Sequence, residues 1–260
     1  MSKRRILIVV AMEAEAAPLR DAYGLRPVEP SPLAPLPATV VTGTTVHAEL
    51  VVATSGHAPL PAGQVASVLD LIGSIPAALT LQRALEVLRP DLVLNIGCCG
   101  GYERCGAAIG DVYVASAAYL HDRRVPNVPG FEGWHRYFQR NFLAFDASPV
   151  AAALGLEMAA VSTGDSFAAS TEDEERIRAS GAALKEMEAG AYAWTAALYR
   201  TPLVILKAVT DIVDHTHRPN DQDFLANLRL ASEHLRTQAM AFIEYAASRP
   251  IEEIGRFVET

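Results

Sequence analysis

The chain has 260 residues, half of them apolar, and a formal net charge of −8. That is enough apolar material for one large core, expected as a single domain over 1–260. The acidic balance repels phosphate backbones and anionic headgroups, so no nucleic acid and no membrane are expected as partners.

From the N-terminus, 5–11 reads as a strand and 13–23 as a helix. The apolar run behind the basic Lys3-Arg4-Arg5 is too short for a secretory leader and ends in Glu13. Two strands, 39–45 and 46–54, follow, then a helix over 76–88. Residues 91–96 are nearly all apolar, the pattern of a buried parallel strand. A strand at 111–119 precedes an irregular stretch over 123–149, a length at which loops tend to be functional. Strands at 156–163, 184–187 and 203–210, with helices at 189–198 and 224–247, complete the alternation. This predicts an α/β fold with a central mixed, twisted sheet flanked by helices. No apolar run reaches the roughly 20 residues of a membrane helix. Cys98, Cys99 and Cys105 form an odd, clustered set rather than a disulfide framework, so the expected compartment is cytoplasmic.

Three acids stand just past strand-like runs: Glu15, Glu188 and Asp211. Ligands of open α/β sheets bind outside the carboxyl ends of strands, so these acids are candidates for one pocket. Asp211 also reads as a helix cap. The run Asn95-Ile96-Gly97-Cys98-Cys99-Gly100-Gly101 reads either as a tight turn or as backbone shaped for close approach to a ligand. It lacks the dinucleotide fingerprint. With no partnering Cys-x-x-Cys or nearby His, Cys98 and Cys99 read as small buried residues, not as metal ligands or nucleophiles. His215 and His217 read as a solvated loop. Phe167, past the strand ending at Thr163, reads as core or as a stacking surface. Glu186 and Glu188 share one side of a strand end, with a helix start at Ala189 turning Glu188 into the cleft.

Taken in order, Ala11-Met12-Glu13-Ala14-Glu15, the 95–101 run, Gly110-Asp111-Val112, Ser162-Thr163-Gly164-Asp165-Ser166-Phe167, Glu186-Met187-Glu188-Ala189 and Thr210-Asp211 resemble the 5′-methylthioadenosine/S-adenosylhomocysteine nucleosidases of the purine nucleoside phosphorylase superfamily. Leu71-Ile72-Gly73-Ser74-Ile75-Pro76-Ala77, His121-Asp122-Arg123-Arg124-Val125-Pro126 and Lys207 to Asp214 are similar to the plant-type branch, as are Arg218-Pro219 and Asp223-Phe224-Leu225. Cys98 and Cys99, Ala168 and His215-Thr216-His217 depart from the family pattern, and 127–146 matches poorly.

The resemblance implies a nucleoside phosphorylase-like fold and a purine nucleoside substrate, with no metal and no organic cofactor. It assigns Asp211 as the acid at adenine N7 and Glu15 as the base on the attacking water. Glu188 clamps the ribose hydroxyls, with Glu186 beside it as a further substrate-binding residue. Met187 lies under the ribose, Phe167 stacks on the purine, and the Ala168 backbone meets the purine edge. Cys98, Cys99 and Gly100 line the floor, with Met12 and Val125 at the pocket. It also implies a homodimer in which the partner's 125–131 loop completes the site; the bland alternative is an ordinary surface loop. Plant-like features favour 5′-methylthioadenosine over S-adenosylhomocysteine. The rivals are phosphorolysis, for which Arg123 and Arg124 are the candidate phosphate ligands, and a non-catalytic binding or storage protein.

Overall fold

The computed structural model describes residues 3–58, 69–214 and 221–260; His215, His217 and the Arg218-Pro219 step lie outside them. The strands are β1 (Arg4–Val10), β2 (Arg26–Pro27), β3 (Thr39–Thr44), β4 (Ala48–Thr54), β5 (His57–Ala58), β6 (Leu69–Asp70), β7 (Leu92–Gly101), β8 (Val112–Leu120), β9 (Phe145–Asp146), β10 (Glu157–Thr163), β11 (Leu184–Glu186), β12 (Leu203–Ile212) and β13 (Arg256–Phe257). The helices are α1 (Glu13–Tyr23), α2 (Ser74–Leu88), α3 (Glu132–Phe138), α4 (Ser148–Leu154), α5 (Thr171–Ser180), α6 (Ala189–Leu198), α7 (Asp221–Ser248) and α8 (Ile251–Ile254).

Nine strands form one mixed sheet in the order β11-β10-β8-β12-β7-β1-β4-β3-β2. The period-2 alternation of its strands divides the core in two. Leu7 and Val9 of β1, with Leu203, Ile205 and Val209 of β12, pack with α2 and α6. Ile6, Ile8 and Val10, with Val204, Leu206 and Ala208, pack with α1, α4 and α7. Lys207 falls by alternation on the α2/α6 side, among apolar neighbours.

β7 positions the site. Its first half lies beside β1, ending at the Val9↔Asn95 pair. At its far end Gly100 and Gly101 pair antiparallel with Lys185 and Leu184 of β11. This extra pairing closes β7, β12, β8, β10 and β11 into a small barrel, and between Asn95 and Gly100 one edge of β7 has no strand beside it among the described residues. On the other edge β12 carries a bulge: Val209 pairs with Cys99 and Asp211 with Gly100, leaving Thr210 as the extra residue. Bulges re-aim side chains where pairing ends.

Three expectations are corrected. The 95–101 run is not a turn but the end of β7. The 123–149 stretch is not irregular throughout: α3 and β9 lie inside it and α4 begins there. Aromatic contacts supply the reason, since Tyr137, Phe138 and Phe142 of this stretch pack with Trp194 of α6 at centroid distances of 5.2–6.2 Å. Asp211 caps no helix, because β12 runs on to Ile212. The sequence reading also lacked α5. That helix is almost wholly polar and rests on a Ser170/Asp173 capping box with little apolar periodicity to betray it.

Candidate active site

Glu15 stands at the third position of α1, whose start follows directly from the end of β1. It forms a capping box: its Oε2 accepts the Met12 amide at 3.2 Å. Its Oε1 accepts the Cys98 amide at 2.6 Å, across the open edge of β7. The strand gap therefore frees the N–H that the carboxylate takes up. Gly97 permits this approach: a Cβ there would lie 3.1 Å from Lys207 Nζ and 3.4 Å from Glu15 Oε1. These glycines serve closeness rather than a left-handed turn, since neither Gly97 nor Gly100 has positive φ.

Lys207 is 2% exposed and its Nζ lies 2.9 Å from Glu186 Oε2. The same Glu186 oxygen accepts the amides of Glu188 (2.9 Å) and Ala189 (2.8 Å) at the start of α6. Its Oε1 accepts the Thr163 hydroxyl. Both oxygens of Glu186 are thus engaged by protein partners. Glu188, two residues on, is turned elsewhere. Its Oε1 accepts the Gly73 amide at 2.8 Å, and among the described residues its Oε2 accepts nothing.

Burial sets the electrostatics. Burial raises the Glu15 carboxyl above its ordinary value, against the opposing pull of Lys207 and of the Cys98 and Met12 amides. Burial, then Glu186, pushes Glu188 up to about 7. Burial would raise Glu186 too, but Lys207 and the Thr163 hydroxyl outweigh it and hold the carboxyl below its usual range. Burial works against a charged Lys207, yet Glu186, Glu188 and Glu15 keep it protonated and raise it. Burial, then Glu15, pushes the Cys98 thiol far up; burial also raises Cys99, whose thiol feels Lys207, Glu186, Asp211 and Glu15. Both are protonated thiols, not nucleophiles.

Asp211 borders the same strand: a Cβ at Gly100 would lie 3.4 Å from its Oδ2. The Thr210 hydroxyl sits 2.9 Å from Asp211 Oδ1 and 3.2 Å from the Cys99 carbonyl. Phe167 is 71% exposed, so it is not core, and Ala168 beside it is exposed as well. Met12, Met187 and Val125 are half-buried. Asp214 is spent on the Glu103 and Arg104 amides. Among the described residues no group of three metal-binding side chains occurs.

Sequence reasoning missed Lys207, Gly73 and Ser74. A lysine in the middle of an apolar strand pattern was the available signal for the first, because a buried ammonium requires acids around it. Nothing in the sequence marked the Gly73 amide as a partner of Glu188.

The sheet and the carboxylate cluster define a class. A profile of the phosphorylase superfamily matches residues 5–244, and the chain belongs to that superfamily. A 5′-methylthioadenosine nucleosidase of Arabidopsis thaliana is 36% identical over 96% of this chain and 90% of its own length. A 5′-methylthioadenosine/S-adenosylhomocysteine nucleosidase of the same plant is 32% identical over 96% and 94%. The solved apo structure of Arabidopsis thaliana 5′-methylthioadenosine nucleosidase superposes with a TM-score of 0.86 at 35% identity, covering 97% of this chain and all of the other. Within the superfamily, then, this is a member of the plant-type 5′-methylthioadenosine nucleosidase family, and the chain is a nucleosidase.

Proposed function

We propose that the chain hydrolyses the N-glycosidic bond of 5′-methylthioadenosine to adenine and 5-methylthioribose. The observation that carries this is the gathering of Glu15, Glu188 and Asp211 around the C-terminal half of β7, with an exposed Phe167 ring on the loop after β10. Glu15 takes a proton from water as the oxygen attacks the anomeric carbon. Asp211 delivers a proton to adenine N7, so the electron pair of the breaking C1′–N9 bond is accepted by a neutral leaving group. This is the division of labour of inverting glycoside hydrolysis. The Thr210 hydroxyl has one proton for two acceptors. Donated to the Cys99 carbonyl, it leaves Oγ1 to accept from a protonated Asp211; donated to Asp211, it stabilises the carboxylate that remains after transfer. Glu188 Oε2 accepts from the ribose hydroxyls and places negative charge beside the developing oxocarbenium ion. Phe167 stacks on the purine.

Water rather than phosphate fits the charges. Three carboxylates, Glu186, Glu188 and Glu15, act on one buried lysine, Lys207. Arg124 is paired with Asp173 and with Glu172 at 3.2 Å. The Arg123 guanidinium lies over the Trp194 ring at 4.4 Å. The test is adenine release from 5′-methylthioadenosine, followed by absorbance with and without phosphate. Strict phosphate dependence with a sugar 1-phosphate product overturns hydrolysis; tight binding without release favours a storage protein. Specificity constants for 5′-methylthioadenosine, S-adenosylhomocysteine and adenosine fix the 5′ preference.

The assembly we propose is a cytoplasmic homodimer. The exposed Val128 and Phe131 support it, with Trp134 beside them at 64% exposure, as apolar surface on the 125–131 loop and α3. Sedimentation tests the dimer, and unchanged substrate binding by a monomeric variant removes the loop from the site. Among the described residues no helix is long and apolar enough to cross a membrane.

A further inference from the structure

The loop that carries Phe167 is held from three directions. From below, Lys185 Nζ donates to the Ser166 carbonyl at 3.0 Å and the Phe167 carbonyl at 2.9 Å. Lys185 is buried, and among the described residues no carboxylate forms an ion pair with it. Burial leaves its ammonium below the usual lysine range, against the opposing pull of Glu186, Asp211, Glu174 and Asp173. A buried cation without a paired anion is costly, so its two bonds to a loop that bears an exposed ring call for an explanation. From one side, the Asp165 amide donates to Asp122 Oδ2 at 2.8 Å. From the other, the Asp165 carboxylate grips the start of α2: Oδ1 accepts the Ser74 amide and Oδ2 the Ser74 hydroxyl, both at 2.6 Å.

The residue before Ser74 is Gly73, whose amide is the one held by Glu188 Oε1. Its φ of +103° and the 2.8 Å gap that a Cβ would leave to Asp165 Oδ1 require glycine there. Two consecutive amides at the head of α2 are therefore taken by two carboxylates, one from the ring-bearing loop and one from the candidate sugar clamp. Neither bond is needed to fill α2's core face, which Ala77, Leu81, Ala84 and Leu85 provide.

We propose that Lys185 and Asp165 are positioning residues that fix the Phe167 ring for stacking on the purine, and that Gly73-Ser74 joins this stacking loop to Glu188. The inference rests on the nucleoside reading of the site given above. Its physical content is preorganisation: a ring held in place before binding does not lose its loop's freedom when the base arrives.

The experiment is a double-mutant cycle read by calorimetric titration with adenine alone, which isolates the base from the sugar and from cleavage. Phe167→Ala, Asp165→Ala and Lys185→Met are each measured singly, and the last two again in the Phe167→Ala background. Base–aromatic stacking predicts about tenfold weaker adenine binding for Asp165→Ala and for Lys185→Met in the parent chain, shrinking to less than about twofold once the ring is gone. Lys185→Arg, which keeps a cation over the same carbonyls, restores most of the loss. If Lys185→Met does not fold, Ser74→Ala and Asp165→Ala carry the cycle through the other tether. Undiminished losses in the Phe167→Ala background, or no loss in the parent, overturn the proposal. Adenine binding without cleavage of nucleosides overturns hydrolysis and leaves this proposal standing; no adenine binding by the parent chain overturns both.

Discussion

Removing the charge of Lys207 while leaving its bulk, as in Lys207→Met, acts directly on the candidate base. Lys207 Nζ and Glu15 Oε1 lie 3.1 Å and 3.4 Å from one point, the Cβ position of Gly97. Their separation is therefore at most about 6.5 Å, the sum of those two distances. At an effective dielectric of about 20 that corresponds to about 2.5 kcal/mol of attraction, or nearly two pH units on the carboxyl. Burial already raises Glu15, and Lys207 is the leading influence that restrains it. Without the cation Glu15 holds its proton to higher pH, so the acidic limb of the kcat/KM profile moves upward by one to two units, an order-of-magnitude figure from the same relation. Lys207→Arg keeps the charge and leaves the limb near its original place. The variant also strands Glu186, and breaking a buried pair costs about 3–5 kcal/mol, so each profile is recorded below the variant's own melting temperature. A folded Lys207→Met enzyme whose acidic limb coincides with that of the parent refutes the reasoning.

Glu15→Gln and Asp211→Asn are each expected to lower kcat by about 10²- to 10⁴-fold, with circular dichroism confirming the fold; activity within a few-fold of the parent removes either residue from the chemistry. Glu188 has its folded value raised to about 7 from 4.5. Between these two values the folded chain holds a proton that the unfolded chain has released, so stability declines as pH rises through the window. Glu188→Gln flattens that slope, which urea titrations at pH 5 and pH 7 measure. Glu186, held below its usual value by Lys207, contributes the opposite way: its stabilisation is present above pH 4.5 and is lost as pH falls through its folded value. Phe167→Ala leaves the melting temperature unchanged, because the ring is mostly exposed, yet raises KM about tenfold. With iodoacetamide near pH 8, mass spectrometry finds the exposed Cys105 alkylated and the half-buried Cys98 and buried Cys99 unmodified, as thiols that keep their protons require.

The amino-acid order by itself determined the strands whose apolar runs are long and alternate with helices. It also determined the order of the family's segments, and the position of Glu15 and Glu188 just past a strand, whereas Asp211 lies within β12. Local pattern suffices for these because a buried parallel strand has to be apolar on both faces. Only the tertiary structure decided what each acid does with its oxygens. Two carboxylates two positions apart, Glu186 and Glu188, are alike in sequence; one is consumed by Lys207, Thr163 and the α6 amides, while the other keeps an oxygen to offer. That difference depends on a lysine 21 positions away in another strand and on an amide at the head of α2. Likewise the Cys98 amide is available to Glu15 only because β1 leaves the edge of β7 at Asn95 and β11 joins it at Gly100. Partners distant along the chain set the charge and reach of a buried group, and no local spacing encodes them.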